Sequence, residues 1–441
     1  MDHSSFENLK NYDEVGIQMY SLMEELYPIC RSITGDGVRK SLQIIKKHID
    51  LEMNEIPTGT QVYDWNIPKE WNIKDAYVIN PSGEKIIDFN ESNLHILNYS
   101  MPIKKKISLT ELKQHIHTLP NMPNVIPYLT SYYKEDWGFC MKHEDFLKLA
   151  DGEYEVMIDS SLENGYLTYG EYFIVGKTKE EVVISCYVCH PSLCNDNLSG
   201  VVLTTFLAKY LTNMKPFYSY RFLFIPETIG SITWLSLNEN MISRIKHGLV
   251  VTCVGDAGIL TYKKSRIGNA EIDLVVTNVL KNSGDKFKIL DFFPLGSDER
   301  QFCSPGFNLP FGLLMRTRYG EFPEYHTSAD DLNFVKKEYL TDTFSKYVSI
   351  IFTLENNKTY VNLNPKCEPH LGKRDLHRMI GGQKGDDLNE MAMFWVLNLS
   401  DGDHSLLDIC EKSGLPFKTI KNAAHTLLEK ELLKINKIEN E

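Results

Sequence analysis

The 441-residue chain lacks several features that would place it in a large class of proteins. No apolar run approaches the roughly 18 residues that a membrane helix needs. A secretory signal peptide starts with cationic residues and an apolar stretch, whereas the first 26 residues here are rich in acidic side chains. The formal net charge is −12, and general nucleic-acid binders carry a surplus of Lys and Arg. We therefore expect a cytoplasmic protein with no membrane segment and no general affinity for nucleic acid.

The nine cysteines lack the even number and regular spacing of a disulfide framework, which fits reduced thiols in a cytoplasmic protein. Three of them lie in "SCYVCHPSLCNDNLSG", residues 185–200, whose "CYVCH" matches a haem-attachment pattern. Haem attachment normally requires export, and a zinc knuckle needs a second CxxC or HxxxH, which the sequence lacks. A CxxC within a strand also points its side chains to opposite faces, which argues against a redox pair. We interpret Cys186 and Cys189 as small buried residues of a strand.

Residue patterns divide the chain into four parts. Residues 1–49 are helical with a glycine turn, and residues 50–160 have the short β-rich runs and turn residues of a small inserted β domain. In residues 161–362 apolar strands alternate with helical patterns. This alternation predicts the α/β class, with a mixed, largely parallel sheet and helices on both faces. After a Gly/Pro/Lys-rich linker at 364–382, residues 372–441 have the order of elements of a winged helix-turn-helix.

Polar side chains stand where successive predicted strands end. His190 follows the first of these strands, and Asp196 lies in the loop that leads to the next helix. Glu227 follows "RFLFIP", Asp256 follows "LVVTCVG", and His326 precedes an acidic cluster. Ligands of open α/β sheets bind at the carboxyl ends of the strands. Because His and carboxylate ligands suit a catalytic zinc ion, we expect a metal site at this edge.

Plainer interpretations of these residues exist. A histidine at a strand end is often structural, and a carboxylate before a helix is often a cap. Convergence of several such residues on one edge favours the metal site. Within the acidic cluster, Asp330 or Asp331 is the expected partner that orients the ring of His326.

The strings "LYPICRSITGDG", "HPSLCNDNLSG", "PETIGS" and "YHTSAD" resemble those of an uncharacterised bacterial and archaeal aminopeptidase-like family, often labelled as linked to polysaccharide biosynthesis. Its catalytic part is similar to the co-catalytic zinc aminopeptidases. The resemblance implies a zinc-exopeptidase-like fold, an inserted β domain and a C-terminal winged helix. It also implies that one or two zinc ions are held by His190, Asp196, Asp256 and His326, with Glu227 as the general base.

One residue departs from the aminopeptidase pattern. Those enzymes have two adjacent glutamates, the first a general base and the second a metal ligand, whereas Thr228 follows Glu227 here. The departure implies two unequal metal positions or a single tightly held zinc ion. The segment "GSDERQF", residues 296–302, resembles a loop that shapes the substrate pocket, which makes Ser297 and Asp298 candidates for substrate binding.

Other side chains near these motifs are further candidates for substrate contact. Arg300, Arg316 and Arg318 could pair with a carboxylate or a sugar phosphate, although surface or structural roles explain arginines equally well. Tyr325 could donate to an oxyanion. Arg31, in "RSITGDG", could reach the site or could belong to a turn between helices.

These observations favour a zinc-dependent aminopeptidase-like amidohydrolase that acts on a peptide or a related small amide. The alternative is a non-catalytic or weakly active zinc protein that binds a peptide or a glycan intermediate, because Thr228 interrupts the glutamate pair. A third possibility is a DNA-binding regulator. Residues 371–441 carry 10 Lys/Arg and 12 Asp/Glu, so we expect the winged helix to serve protein contact or self-association instead.

Overall fold

The computed structural model describes residues 12–376 and 387–436. These residues fall into two compact units. The larger unit holds residues up to 273 together with 286–347, and the smaller unit holds 274–285 together with the described residues from 348 onward. Parts of the predicted N-terminal segment, linker and winged helix lie outside the described ranges.

The strands are numbered in chain order, and most are short. They are β1 (Glu52–Pro57), β2 (Gln61–Val62), β3 (Trp65–Asn66), β4 (Glu70–Ile79), β5 (Lys85–Asp88), β6 (Ile103–Ser108), β7 (Ile116–His117), β8 (Phe139–Cys140), β9 (Glu153–Glu163), β10 (Tyr166–Ile174), β11 (Glu181–Tyr187), β12 (Ser219–Ile225), β13 (Ile245–Val251), β14 (Leu260–Lys263), β15 (Phe287–Leu290), β16 (Phe311–Met315), β17 (Thr359–Asn362), β18 (Asp401–Ser405) and β19 (Leu433–Ile435).

The α-helices are numbered in the same way. They are α1 (Tyr12–Leu26), α2 (Asp36–Lys46), α3 (Leu109–Leu112), α4 (His143–Phe146), α5 (Ser199–Thr212), α6 (Ile229–Leu237), α7 (Glu271–Lys281), α8 (Glu299–Phe302), α9 (Lys337–Asn356), α10 (Asp387–Leu399), α11 (Leu406–Ser413) and α12 (Phe417–Glu429). Among the residues described, none of these helices combines the length and the apolar character that crossing a membrane requires.

An eight-stranded sheet forms the centre of the larger unit, in the order β1-β10-β12-β11-β13-β16-β14-β15. Its central strands β12, β11, β13 and β16 run parallel, and every residue in them except Lys246 is buried. Helix α5 packs against β11 and β13, and α8 packs against β16. Continuously apolar strands need cover on both faces of the sheet. The α/β fold with a mixed, largely parallel sheet is therefore confirmed.

The parallel strands bring their carboxyl ends to one edge of the sheet. Strand β11 ends at Tyr187, β12 at Ile225, β13 at Val251 and β16 at Met315. The loops that follow these four strands carry the polar residues that the sequence singles out. One edge of the sheet thus collects side chains that are far apart in the chain.

A second, antiparallel sheet with the order β5-β4-β9-β6 has its own apolar core, which includes Val78, Phe139 and Val156. It falls within the segment predicted as an inserted β domain. The predicted boundary at residue 50 differs from the structure, because β1 pairs antiparallel with β10 in the large sheet. The small sheet also extends to Glu163, the last residue of β9.

The smaller unit contains α10, β18, α11, α12 and β19 in that order, and β17 lies between β18 and β19 in a three-stranded sheet. Helix α11 starts with a capping box, in which the side chains of Ser405 and Asp408 each accept a hydrogen bond from the other's backbone N–H. It ends at Gly414, whose φ of +70° suits a residue without Cβ. The predicted winged helix-turn-helix is confirmed. Strand β18, between the first two helices, is missing from the prediction.

Candidate metal centre

His190, Asp196 and His326 form the centre of the site, with one ligand atom of each within 4.8 Å of the others. Asp196 Oδ2 lies 2.9 Å from His326 Nε2 and 3.8 Å from His190 Nε2. Asp196 Oδ2 and His326 Nε2 are both buried, and neither makes a hydrogen bond among the described residues. Buried polar atoms normally have partners. Two such atoms, 2.9 Å apart and with no other partner among the described residues, fit ligands that share one metal ion.

The protonation states of two of these residues suit metal binding. Burial lowers the pKa of the His190 imidazole to about 4, with Asp196 opposing the shift and His326 adding to it, so His190 is neutral at pH 7. Burial raises the pKa of Asp196, but the His190 and His326 rings outweigh it and bring the pKa to about 2. A neutral imidazole and an ionised carboxylate are the forms that bind metal.

Asp196 is held from two sides in the segment Cys194–Leu198. Its Oδ1 accepts a hydrogen bond from the Tyr187 hydroxyl, which also lies 2.6 Å from Thr252 Oγ1. Its backbone N–H donates to Asp330 Oδ2 at 2.9 Å. These contacts aim Oδ2 at the two histidines.

The prediction for the acidic cluster needs a correction. Asp330 binds the backbone N–H groups of Asn195 and Asp196 instead of the ring of His326. The carboxylate of Asp331 accepts from the N–H groups of Asn333 and Phe334 in its own turn. Both carboxylates therefore fix backbone N–H groups, and neither makes a described hydrogen bond to the His326 ring.

Arg31 holds the backbone that carries His190. Its buried guanidinium donates to His190 O at 2.7 Å, to Pro191 O at 2.8 Å and to Leu26 O at 2.6 Å. Burial lowers its pKa to about 10, so it stays charged at neutral pH. The "RSITGDG" segment thus reaches the site, and Arg31 acts there as a positioning residue.

Two tyrosines pack against the histidine rings. The Tyr325 ring stacks on His326 at 3.9 Å with an interplanar angle of 14°. The Tyr128 ring lies 5.1 Å from His326 and 5.3 Å from His190, and the Tyr128 N–H donates to His326 O at 2.8 Å. The sequence offers no signal for Tyr128, because it lies in the inserted segment and in no recognisable motif.

Glu227 stands beside the three candidate ligands. Its Oε2 is 3.9 Å from His190 Nε2, and the Ser297 hydroxyl donates to its Oε1 at 3.1 Å. Burial raises the pKa of Glu227 well above its usual value, and the negative charges of Asp298 and Asp196 raise it further. Its side chain is 28% exposed, so solvent reaches it. A carboxylate with a raised pKa at such a place suits proton transfer near neutral pH.

Asp298 and Arg300 hold Thr228, the residue that interrupts the expected glutamate pair. The Thr228 N–H donates to Asp298 Oδ1 at 2.7 Å, and its Oγ1 accepts from Arg300 Nη2 at 2.9 Å. Asp298 Oδ1 also accepts from the Ser231 hydroxyl in α6. Because Asp298 is fully buried, the structure gives it a supporting contact with Thr228 rather than an exposed face for substrate.

Asp256 is not brought into the cluster of three. Its Oδ1 accepts from the Thr317 hydroxyl at 2.6 Å, and its Oδ2 accepts from Asn195 Nδ2 at 2.9 Å. The carboxylate is therefore used in joining the loops after β13 and β16. A strand-end position alone does not show which way a side chain turns.

Arg316 and Arg318, the two arginines predicted to bind substrate, contact other parts of the fold in the structure. Arg316 is 7% exposed and bonded to Asp342 and to the carbonyl of Gly258, so it is a structural arginine. Arg318 pairs with Glu321 at 3.2 Å, and its guanidinium lies 4.6 Å from the centre of the Phe293 ring. Neither arginine makes a described hydrogen bond to His190, Asp196 or His326.

The cysteines of "CYVCH" belong to the core. Cys186 and Cys189 are buried, and burial raises the pKa of both thiols, so they are protonated at neutral pH. The Cys189 Sγ accepts a hydrogen bond from the Glu227 N–H at 3.3 Å. The Cys189 Sγ also lies 3.4 Å from His190 Nδ1, and neither thiol belongs to the cluster of three candidate ligands among the described residues.

The chain is similar to known families and relatives. Residues 20–357 match the family described as "Domain of unknown function (DUF4910)", and residues 358–435 match a winged helix-turn-helix family. A Clostridium acetobutylicum protein, provisionally named a polysaccharide biosynthesis protein with aminopeptidase-like domain, is 60% identical over 427 residues. The match covers 97% of this chain and 98% of that protein.

Two solved structures are also similar to this chain. A Clostridium acetobutylicum protein provisionally called a peptidase has a TM-score of 0.93 and 58% identity, covering 97% of this chain and 98% of that one. The Bacillus subtilis zinc aminopeptidase BSAP has a TM-score of 0.55 and 14% identity, covering 77% of this chain and 95% of that one. At such low identity the second likeness shows the fold alone. The chain belongs to the family described as "Domain of unknown function (DUF4910)", with an aminopeptidase-like fold followed by a winged helix-turn-helix.

Proposed function

We propose that this protein is a zinc-dependent amidohydrolase of the aminopeptidase type, which uses water to cleave a peptide or a related amide. The observation that carries the proposal is the buried pair Asp196 Oδ2 and His326 Nε2, which lie 2.9 Å apart and have no other partner among the described residues, next to the carboxyl group of Glu227. The fold shared with zinc aminopeptidases supports it.

His190, Asp196 and His326 would hold the zinc ion. Two nitrogens and one oxygen form a three-residue set of the kind that leaves a position open in catalytic zinc sites. Bound there, zinc supplies a Lewis acid that lowers the pKa of water and polarises the scissile carbonyl. Thr228 has no carboxylate that could bind a second ion next to Glu227, and its hydroxyl accepts a hydrogen bond from Arg300. We therefore propose one ion rather than two.

Glu227 acts as the general base. It takes the proton of the attacking water on Oε2 and passes it to the leaving amine. The Ser297 hydroxyl binds Oε1, which fixes the carboxyl group and leaves Oε2 available. The nearby charge of Asp298 helps Glu227 hold the proton between the two steps, because it favours the neutral form.

Tyr325 is the proposed donor to the developing oxyanion. Its ring lies 3.9 Å from that of His326, and the structure describes no hydrogen bond of its hydroxyl within residues 12–376 and 387–436. A phenol held by stacking needs little reorganisation when charge develops. Tyr128 is buried against both histidine rings and would limit access of water.

Hydrolysis of arylamides tests the proposed function. The panel contains aminoacyl-7-amido-4-methylcoumarins with a free amine and their N-acetylated forms. Protein treated with chelator and then reloaded with zinc should release the fluorophore, and the chelated protein should not. Zinc-loaded protein that binds zinc yet hydrolyses no member of the panel would favour the non-catalytic binding protein.

We also propose that the winged helix contacts protein rather than nucleic acid. Lys421 in α12 is 9% exposed and lies 5.4 Å from the centre of the Phe352 ring, so this lysine is not directed at phosphates. Residues 371–441 carry 10 Lys/Arg against 12 Asp/Glu, and this balance does not favour binding to a duplex. Duplex binding by the full chain that weakens with salt would contradict this.

A further inference from the structure

A groove in the larger unit lies between the β2–β3 hairpin and helix α6, and no metal ligand lines it. Its volume is 390 Å³. Six of its lining residues carry the argument, and they are Tyr63, Asp64, Trp65, Leu235, Glu239 and Gln301. Nothing in the proposed mechanism uses them.

Large aromatic side chains are exposed at this groove. Tyr63 is 44% exposed and Trp65 is 38% exposed. Tyr133, 49% exposed, stands edge-on to Trp65 with the ring centres 5.3 Å apart. A contiguous apolar patch with a polar rim marks a binding site more often than chance exposure does.

The hairpin that presents these rings is held in place. Tyr63 has a φ of +54°, which is costly for a residue with a large side chain. Its hydroxyl donates to Glu239 Oε2 at 3.1 Å and lies 3.4 Å from the carbonyl oxygen of Leu235 in α6. The Tyr63 ring is thus fixed before any ligand arrives, which lowers the entropic cost of binding.

The charge of the groove restricts its ligand. The lining includes the carboxylates of Asp64 and Glu239 and the amide of Gln301, and no Lys or Arg belongs to the lining residues that the structure describes. Within the described residues, the side chains of Asp64 and Gln301 have no hydrogen-bond partner. Phosphates and carboxylates are disfavoured here, because nothing offsets their charge.

A sugar ring has the complementary chemistry. Its C–H face packs on an aromatic ring, while its hydroxyls donate to carboxylates and exchange hydrogen bonds with amides. An apolar peptide side chain would cover the rings but would leave the desolvated Asp64 carboxylate without a partner. We propose that this groove binds a neutral sugar ring, with Trp65 under one face and Asp64 and Gln301 at the hydroxyl edge.

The groove is connected to the candidate metal centre by a row of aromatic contacts. From Tyr133 the row continues to Tyr132, with ring centres 6.4 Å apart, and the Tyr132 hydroxyl lies 3.0 Å from that of Tyr128. Tyr128 packs on His190. These contacts join the two places through packed side chains. Binding in the groove itself does not depend on the proposed hydrolysis.

Saturation-transfer NMR on the full chain tests the sugar site. The probes are maltotriose and the N-acetylglucosamine trimer, with the blocked tripeptide acetyl-Ala-Phe-Ala-amide as the peptide competitor. At least one sugar should bind in the millimolar range, typical of a shallow groove. Trp65→Ala should weaken that binding about ten-fold. The control Tyr166→Ala removes a side chain that is also 44% exposed but does not line the groove, and it should bind as the wild type does.

A second variant covers the case in which the Trp65 change disturbs the hairpin. Asp64→Ala keeps the aromatic rings and removes hydroxyl contacts, so it should weaken sugar binding several-fold while peptide binding stays unchanged. The proposal is overturned if neither sugar binds or if both groove variants bind sugar as the wild type does. It is also overturned if the peptide binds more tightly than the sugar and displaces it.

Discussion

Two buried clusters of charge in the larger unit are built in opposite ways. In strand β12, Arg221 donates to Glu181 Oε2 at 2.8 Å and also pairs with Glu171. Each charge there faces an opposite charge. At the carboxyl edge of the same sheet, Asp196 Oδ2 and His326 Nε2 are buried without a hydrogen bond. Glu227, next to them, is flanked by further carboxylates.

The difference separates structural charge from functional charge. A buried ion pair that is fully hydrogen-bonded is satisfied by the fold itself, although its desolvation is costly. Buried polar atoms without hydrogen bonds destabilise a fold, so their presence indicates a bound ligand or a functional role. The charges of the Arg221 cluster are balanced by its own side chains. The cluster of Asp196, His326 and Glu227 needs a bound cation to balance its carboxylates.

The largest expected effect is the loss of catalysis in Glu227→Gln. Removing a general base should lower amide hydrolysis by about 10²–10⁴-fold, while the three ligands still bind zinc. The measurements are kcat with the best arylamide and zinc content by elemental analysis. Glu144→Gln, at an exposed glutamate away from the site, is the matched control. Full activity in Glu227→Gln would show that another group takes the proton.

Arg221→Ala should destabilise the fold strongly. It leaves Glu181, which is 1% exposed, without its cation, and breaking a buried pair costs about 3–5 kcal/mol. Asp196→Asn in chelated protein should cost less, because no bound cation is lost. Urea unfolding gives both free energies. Equal decreases in the free energy of unfolding for the two variants would contradict the difference proposed between the two clusters.

Asp298 should make stability depend on pH. Burial raises its pKa to about 6, partly offset by the hydrogen bonds from Ser231 and Thr228, with Glu299 raising it and Arg300 lowering it. The folded state holds a proton that the unfolded chain releases at lower pH. This stabilisation is complete below about pH 4, the pKa of an unfolded aspartate, and is lost as pH rises through the folded pKa of about 6.

The variant Asp298→Asn should remove this decrease in the free energy of unfolding with rising pH, because Asn keeps the acceptor Oδ1 and does not titrate. Urea unfolding of chelated protein at several pH values measures it. Wild type and variant with the same pH dependence would mean that Asp298 has an ordinary pKa.

The smallest effect is expected at an exposed pair. Lys47 Nζ lies 2.9 Å from Glu25 Oε1, and the two side chains are 64% and 46% exposed. Lys47→Ala should therefore change the free energy of unfolding by about 0–1 kcal/mol. A loss comparable to that of Arg221→Ala would show that burial does not explain the difference between clusters.

The sequence predicts the parts of the molecule that depend on strand order. His190, Asp196, Glu227 and His326 come together because parallel strands share an edge, and that edge follows from apolar strands alternating with helices. The winged helix is predicted for a similar reason, from the order of its helices. The pairing of β1 with β10 escapes prediction, because an edge strand gives no sign of which sheet it joins.

The supporting residues of the site are harder to foresee. Tyr128 packs on the histidines from a segment that carries no motif, and Asp330 binds a loop more than a hundred residues earlier in the chain. Asp256 occupies the same kind of strand-end position as Glu227 and yet turns to Thr317. Side-chain direction depends on packing between distant loops, and a single sequence does not encode it in any local pattern.

Zinc content of wild type and His326→Ala tests the central claim most directly. Both proteins are purified without added metal and analysed for zinc per chain, with His425→Ala, at a 59% exposed histidine in the smaller unit, as the control. The account predicts about one zinc ion in the wild type and in the control, and almost none in His326→Ala. Zinc retained in His326→Ala, or absent from the wild type even after reloading, would contradict it.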